Sequence, residues 1–599
     1  MTILQNVLAQ LGLAGAAPLS PSTQRLDIWV DLPITAEGSG ASGPYTIKGS
    51  SQLIAALRAM LTRTTAAGTE DFLTGLTDKG LIQADPADAT KFQVKLGLRV
   101  VYPASPKGPN IVAGKTRIPV VLLNHGQHDN WGVSGGWVPA GPTGVVKPAD
   151  IDITANLDGY AYLQDALASL GLISVSVDHN FACRLNLLIE TRADTIIAAL
   201  NVLNDQAADP GSRYYNRLDL SRIGLMGHSR GGDAVLRAAT KIRGDAALSA
   251  KFTVKTVCSL APTDFSGTNP PANRTFLDIN DLAFYTVLYG ALDGDVSGVK
   301  GANGFTGTGF RHYDRARCAK SMVFLDGCCH DFFNTVWTAT THEQGHADPR
   351  LATAGVHQDI LLDYLTDQFA WHLSLNPRPQ RFDGRSSNRA GMHASLQWMF
   401  GQQIKKIDDF ESPAANLLGG ARAVLNIGQP AAIEDITGIT ISGNSLADHT
   451  GHETHVLHVD LTLGSPGTTQ VLTDGIPSAE QDWSAFDTLI VSLAGWFDPA
   501  SDATITAANL PRLKVTLTDA ANASATVDWT TYGTNLPSRP VFKSLPAGGN
   551  LTLMRLETIP IPLSAFAGPD RTKIATVALD IDPANNTHVL VDNIHVVQR

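Results

Sequence analysis

From residue 92 to residue 375, short β-rich runs alternate with helical patterns, and few folds accommodate that rhythm. The runs FQVKLGLRVVY, IPVVLLNHG, LISVSVDH, RIGLMGHS, FTVKTVCSLAP, FYTVLYG and KSMVFLDG read as buried strands. Between several of them lie stretches such as TRADTIIAALNVLND and GDAVLRAATKI, whose apolar residues recur every three or four positions. Buried strands separated by helices predict an α/β layer fold around a largely parallel sheet. HQDILLDYLTDQFAWHLSL, an amphipathic helix ending near Leu375, closes the segment.

On either side the pattern changes. Residues 50–83 hold two helical patterns, SSQLIAALRAMLTRT and TEDFLTGLTDKGL, so 1–91 is expected to be a short N-terminal helical extension. Residues 376–404, rich in Pro, Arg, Asn and Ser, read as a linker or a lid-like excursion. From 405 to 599 β-branched and alternating runs such as HVLHVDLTL, DTLIVSLAGWF and RLKVTLTDA are split by Gly, Pro and Asn turns, which predicts an all-β sandwich. Charge follows the same division. Residues 401–599 carry 11 Lys+Arg against 21 Asp+Glu, whereas the rest is nearly balanced at 34 against 35. A chain of 599 residues is too long for one ordinary core, in keeping with this partition.

The net charge of −11 argues against a nucleic-acid partner or an anionic membrane surface. No apolar stretch approaches the ~20 residues of a membrane-spanning helix. Five cysteines cannot make a disulfide framework. Cys328 and Cys329 are adjacent, leaving open a vicinal disulfide, a bridge to Cys318, or free thiols. The first residues carry no positive charge before Arg25 and match a secretory leader poorly.

Gly-x-Ser-x-Gly occurs twice, at Gly227–Gly231 and at Gly132–Gly136. The pattern alone is weak, so the surroundings choose. Ser229 follows the strand-like Arg222–Met226 and precedes the helical Asp233-Ala-Val-Leu-Arg-Ala-Ala. A sharp strand-to-helix turn there aims the hydroxyl out of the sheet and leaves the next backbone N–H at the same spot. Ser134 lies in a Gly/Pro-rich stretch with no strand before it and reads as an ordinary loop serine.

A serine hydroxyl needs a base, and the base needs an orienting group. After FYTVLYG comes Gly290-Ala-Leu-Asp293-Gly-Asp295-Val296, and after KSMVFLDG comes Cys328-Cys329-His330. His330 is the candidate base. Asp293 is the favoured acid, Asp295 the alternative and Asp264 a third. Acyl transfer also needs donors where the carbonyl oxygen becomes an anion. The backbone N–H groups of Arg230 and Gln127 are the candidates, with His125 and Trp131 expected beside the substrate pocket.

These residues resemble the α/β-hydrolase superfamily over about 92–375. The Gly-His-Ser-Arg-Gly-Gly turn is similar to the branch holding chlorophyllase-like esterases, platelet-activating-factor acetylhydrolase-like enzymes and cutinase-type polyester hydrolases. The resemblance implies a serine hydrolase that cleaves carboxylic esters through an acyl-enzyme on Ser229, with no cofactor. The substrate stays open among polyesters, acylated polysaccharides and small lipid esters. The alternatives are a serine amidase or thioesterase, and an inactive hydrolase fold that binds through its sandwich. The C-terminal part resembles galactose-binding-like jelly rolls, the fold of many carbohydrate-binding modules. It does so through Ile407-Asp-Asp-Phe-Glu411, Leu556–Phe566 and Val591–His595. Trp483, Trp496, Trp529 and Tyr532 are its candidate platform for a glycan or polymer surface. By analogy with other modular hydrolases, an extracellular or periplasmic setting is expected.

His342-Glu343-Gln-Gly-His346 matches a zinc-protease pattern, but Gly345 and the following Asp348-Pro349 speak against the long helix that chemistry needs. The Asp293–Asp295 loop offers too few carboxylates to indicate calcium.

Overall fold

Along each central strand, successive side chains enter opposite hydrophobic cores. Val120 and Leu122 join one core and Val121 and Leu123 the other. Leu225 and Met226, Val257 and Cys258, and Val287 and Leu288 divide in the same way. Burial on both faces is why these strands read as unbroken apolar runs. The computed structural model describes residues 20–31, 35–36, 45–46, 62–65, 68–84, 92–105, 108–111, 117–128, 131–140, 145–184, 189–264, 282–296, 309–338, 348–374, 378–384, 388, 390–392, 394–412, 415–424, 431–441, 444–445, 451–460, 469–496, 512–529, 541–544, 550–553, 555–582 and 588–599.

The main sheet contains β1 (Pro21–Asp31), β2 (Phe92–Ser105), β3 (Ile118–Asn124), β4 (Ile173–Val177), β5 (Leu218–His228), β6 (Val254–Leu260), β7 (Phe284–Gly290), β8 (Lys320–Leu325) and β9 (Ala394–Met399). Their order is β1-β2-β4-β3-β5-β6-β7-β8-β9, and two short strands, Ile82–Ala84 and Gly108–Ile111, also pair with β2. Neighbours from β4 through to β8 are parallel. Antiparallel strands flank them, β2 and β1 at one edge and β9 at the other. Helices α1 (Ala161–Ser169), α2 (Ile189–Ala208), α3 (Arg230–Gly244) and α4 (Ala354–Ser374) cover the sheet. Leu163 of α1 and Leu361 and Phe369 of α4 enter one core, and Ile196 and Leu200 of α2 and Val235 of α3 the other. Because the central strands run the same way, the loops after β3, β5, β6, β7 and β8 emerge together, where open α/β sheets hold their ligands.

Two expectations need correction. The N-terminal extension is not simply helical. Pro21–Asp31 runs the length of β2 as an edge strand, from Pro21 opposite Pro103 to Asp31 opposite Gln93. Thr62–Thr65 and Gly68–Asp71 pair as strands, and only Phe72–Asp78 of the second helical pattern is α-helix, capped by the Asp71 carboxylate on the Thr74 N–H at 3.1 Å. Most of the first helical pattern lies outside the described residues. The 376–404 segment, in turn, is more than a linker, because β9 within it closes the sheet. Trp398 and Phe400 then enter a core shared with Ile490 and Val597 of the C-terminal region, and the Trp398 N–H donates to Thr558 Oγ1 at 2.8 Å. Apolar residues beside the unpaired edge of β8 give that stretch a place to bury.

The C-terminal region is a β-sandwich of two antiparallel sheets. One contains Ala431–Asp435, His455–Asp460, His588–Gln598, Thr488–Trp496 and Glu557–Pro562 in that order, with Gln403–Asp408 also paired to His588–Gln598. The other runs Arg422–Val424, Thr469–Gly475, Ile574–Asp582, Arg512–Asp519, Ser524–Asp528. Trp483 and Trp529 belong to the core between them, and the Trp483 indole N–H donates to the Glu480 carbonyl at 3.2 Å. Those two are therefore not an exposed stacking platform. The Trp496 side chain and Tyr532 lie outside the described residues.

Within the sandwich, Asp408 and Asp474 share one cation, Arg422, and all three side chains are buried. Burial, then the negative charge of Asp408, pushes the Asp474 carboxyl above the usual carboxylate range. A raised carboxyl holds a proton in the folded state that the unfolded chain has already released, so its contribution to stability falls as pH rises through that interval. Asp474→Asn is expected to melt above the wild type at pH 8, with the gap closing towards pH 5, at about 2–4 °C per kcal/mol for a domain of this size. Thermal denaturation at both pH values checks this; an equal gap at the two would contradict it.

Candidate active site

Ser229 joins β5 to α3 with φ 56° and ψ −125°, a combination that non-glycine residues rarely adopt. Close backbone packing imposes it. A Cβ on Gly227 would lie 2.0 Å from the Gly231 carbonyl oxygen, and one on Gly231 would lie 2.5 Å from the Asn124 carbonyl oxygen. The Ser229 N–H donates to the Leu260 carbonyl at 2.9 Å, and the Ser229 carbonyl accepts from the Gly232 N–H at 2.8 Å. The turn is thereby fastened to β6 on one side and to its own helix on the other. The N-terminal N–H groups of α3 open at the serine, the end of a helix that favours negative charge.

Asp293 and His330 leave the ends of β7 and β8. His330 Nδ1 lies 2.7 Å from Asp293 Oδ2, with both side chains buried. Asp293 Oδ1 accepts the N–H groups of Asp295 at 3.1 Å and Val296 at 2.7 Å, which holds the carboxylate in one orientation. Asp295 is on the other side of the ring: its Oδ2 is 3.5 Å from His330 Nε2 and its side chain is 54% exposed. The two loops are locked together, since the Leu292 N–H donates to the Cys328 carbonyl at 2.8 Å and a Cβ on Gly290 would lie 2.3 Å from that same oxygen. Asp264 is elsewhere, paired with Arg315 at 2.8 and 3.2 Å. Arg315 reaches on to Glu453 Oε2 at 3.0 Å.

The loop after β3 presses on the serine. A Cβ on Gly126 would fall 2.5 Å from Ser229 Cβ and 3.2 Å from its Oγ. His125 is fully buried. Its Nε2 accepts the His179 N–H at 2.8 Å and its Nδ1 lies 3.0 Å from the Gly126 carbonyl. Those bonds make it a shaper of the loop. Trp131 is buried in the core, 6.0 Å from the Phe181 ring, rather than exposed along a cleft. Ser134 sits in a strand, Trp131–Pro139, at an irregularity beside Gly135 and Gly136.

Several residues of this region carry no motif. The His228 ring lies 4.7 Å from that of His330, tilted by 44°, and its Nδ1 shares a 2.8 Å bond with the Tyr160 hydroxyl. Burial, then the neighbouring His330 and His128, holds His228 well below its ordinary pKa, so it stays uncharged. His357 of α4 accepts the Cys329 N–H at 2.9 Å and so steadies the loop that presents His330. Arg192 of α2 is fully buried and donates to Gln127 Oε1 at 2.8 Å. Only long-range placement reveals them. All five cysteines are free and buried. The His342–His346 motif lies outside the described residues.

Residues 144–264, which include Ser229, match the family described as PETase, PET hydrolase-like. Cutinase est1 and Cutinase est2 of Thermobifida alba are each 33% identical over 88 residues, or 15% of this chain. The aligned stretch spans 28% and 27% of those two relatives. A solved ferulic acid esterase from Streptomyces cinnamoneus superposes with a TM-score of 0.36 at 16% identity, covering 64% of this chain and 98% of its own. The core is α/β-hydrolase-like and distantly related to cutinases. A distinct antiparallel β-sandwich follows it.

The short His330–Asp293 contact predicts a strongly deshielded imidazole proton on Nδ1 in the proton NMR spectrum. It should vanish in Asp293→Ala and persist in Asp295→Ala. The reverse pattern would make Asp295 the partner.

Proposed function

We infer that the chain is a serine hydrolase of carboxylic esters. The Ser229 hydroxyl attacks the ester carbonyl while His330 takes its proton, and the leaving alcohol receives that proton as the acyl-enzyme forms. Water then adds to the acyl group by the same route, with His330 again the base. Asp293 holds the His330 tautomer and stabilises the imidazolium. The N–H groups of Arg230 and Gln127 receive the developing oxyanion.

What carries the reading is the coincidence of a strained serine turn with a buried Asp293–His330 pair at 2.7 Å, both at the C-terminal ends of one parallel sheet. Structural ion pairs are common. A strained non-glycine residue at a strand-to-helix turn is costly to keep, and such strain gathers at functional sites. Asp293 is preferred over Asp295 because it meets Nδ1 at 2.7 Å with both side chains buried, whereas Asp295 is exposed and 3.5 Å from the ring. The match to the PET hydrolase-like family and the kinship with cutinases favour esters over amides, and polyesters among esters. With Trp483 and Trp529 in the sandwich core, the proposal is confined to the hydrolase domain.

Ser229→Ala is expected to reduce hydrolysis of short-chain p-nitrophenyl esters to background. Asp293→Asn should lower kcat by about 10³–10⁴, as loss of the orienting acid does in serine triads, and Asp295→Asn by no more than a few-fold. Steady-state kinetics of the three purified variants checks this. Undiminished turnover in Ser229→Ala would refute the reading.

A further inference from the structure

The peptide between Gly126 and Gln127 lies against the serine, and its orientation decides whether the Gln127 N–H can serve an oxyanion. In a trans peptide the carbonyl and the following N–H point in opposite directions, so holding one aims the other. The Gly126 carbonyl is held by three groups. They are His125 Nδ1 at 3.0 Å, Cys183 Sγ at 3.2 Å and an Arg192 guanidinium nitrogen at 3.5 Å. The Gln127 side chain is held as firmly. Its Oε1 accepts from Arg192 at 2.8 Å and from the Arg230 guanidinium at 3.2 Å, and its Nε2 donates to the Cys183 carbonyl at 2.8 Å. Among the described residues, no backbone acceptor is taken by the Gln127 N–H.

Arg192 is the hub of these bonds. It is fully buried on α2, and among the described residues it has no carboxylate partner within 4 Å. A buried guanidinium without a counter-charge is costly unless its hydrogen bonds are spent on something that needs them. Its acceptors are Gln127 Oε1, the Gly126 carbonyl and, at 3.3 Å, Cys183 Sγ. Arg230 adds a second link, because its backbone supplies the other candidate oxyanion donor while its side chain meets the same Gln127 oxygen.

We propose that Arg192 is the positioning residue of the oxyanion hole, fixing the Gly126–Gln127 peptide through Gln127 and Cys183 so that the Gln127 N–H faces the carbon attacked by Ser229. This rests on the esterase reading of Ser229. Arg192 touches no reacting atom. Removing it frees the peptide to rotate and costs the transition state a donor, with little change in ground-state binding. Loss of one such donor lowers kcat by about 10²–10³.

The test compares wild type, Arg192→Met, Arg192→Lys and Gln127→Ala for p-nitrophenyl butyrate turnover and for inhibition by phenylboronic acid. In that adduct the serine oxygen bonds to boron, its proton passes to His330, and a boron-bound oxygen occupies the oxyanion position. Arg192→Met should lose about 10²-fold in kcat, keep KM within about threefold and weaken phenylboronic acid in parallel with kcat/KM. Arg192→Lys keeps the charge without the fork and should lose less. Gln127→Ala keeps the backbone donor and should also lose less, and adding it to Arg192→Met should cost nothing further. If Arg192→Met does not fold, the Lys and Gln127 variants carry the comparison. Unchanged boronate affinity in folded variants, or a loss confined to KM, would overturn the inference and leave the esterase reading standing. A wild type with neither turnover nor boronate binding would overturn both.

Discussion

Ser229 holds φ 56° between β5 and α3, and the arrangement around it follows from how that conformation is enforced. Gly227 and Gly231 approach each other too closely for any side chain, and Gly231 also meets the backbone after β3. The turn is thus clamped between strands whose own positions are set by two separate apolar cores. Such strain persists only where the surroundings over-determine it. Here they are the close-packed interior of a parallel sheet and the first N–H groups of a helix.

The other loops depend on that clamp and on one another. The loop after β3 reaches the serine only because Gly126 has no side chain to collide with it. The loops that carry Asp293 and His330 are bonded backbone to backbone through Leu292 and Cys328, and His357 holds the second of them from behind. The sandwich is joined to the same framework. Thr263, beside the Ser229 carbonyl, accepts a bond from His312 at 2.6 Å, and Asp264 pairs with Arg315, which in turn meets Glu453. A continuous chain of polar contacts therefore runs from the C-terminal region to the serine turn.

Much of this was legible in the sequence where the information is local. The strand, glycine turn and helix around Ser229 are consecutive, so their chemistry is written in one stretch of residues 222–238. The alternation of strands and helices likewise gave the sheet, and the all-β pattern gave the sandwich. What needs distant partners was not legible. Pro21–Asp31 becomes a strand only against β2, some seventy residues later. Asp293 and Asp295 share one loop, and two backbone N–H groups that hold the Asp293 carboxylate give them different settings. Arg192 reads as a charged position on a helix until α2 is laid against the loop after β3. Trp483 and Trp529 carry no mark that distinguishes a core indole from an exposed one.

The central claim is that Ser229 is a nucleophile activated by its setting rather than a serine strained for packing alone. Incubation of the full chain with a fluorophosphonate, followed by proteolysis and peptide mass spectrometry, tests it most directly. The account predicts one adduct, on Ser229, whose formation slows when His330 is replaced by alanine. Absence of that adduct, or equal labelling of other serines such as Ser134, would contradict it.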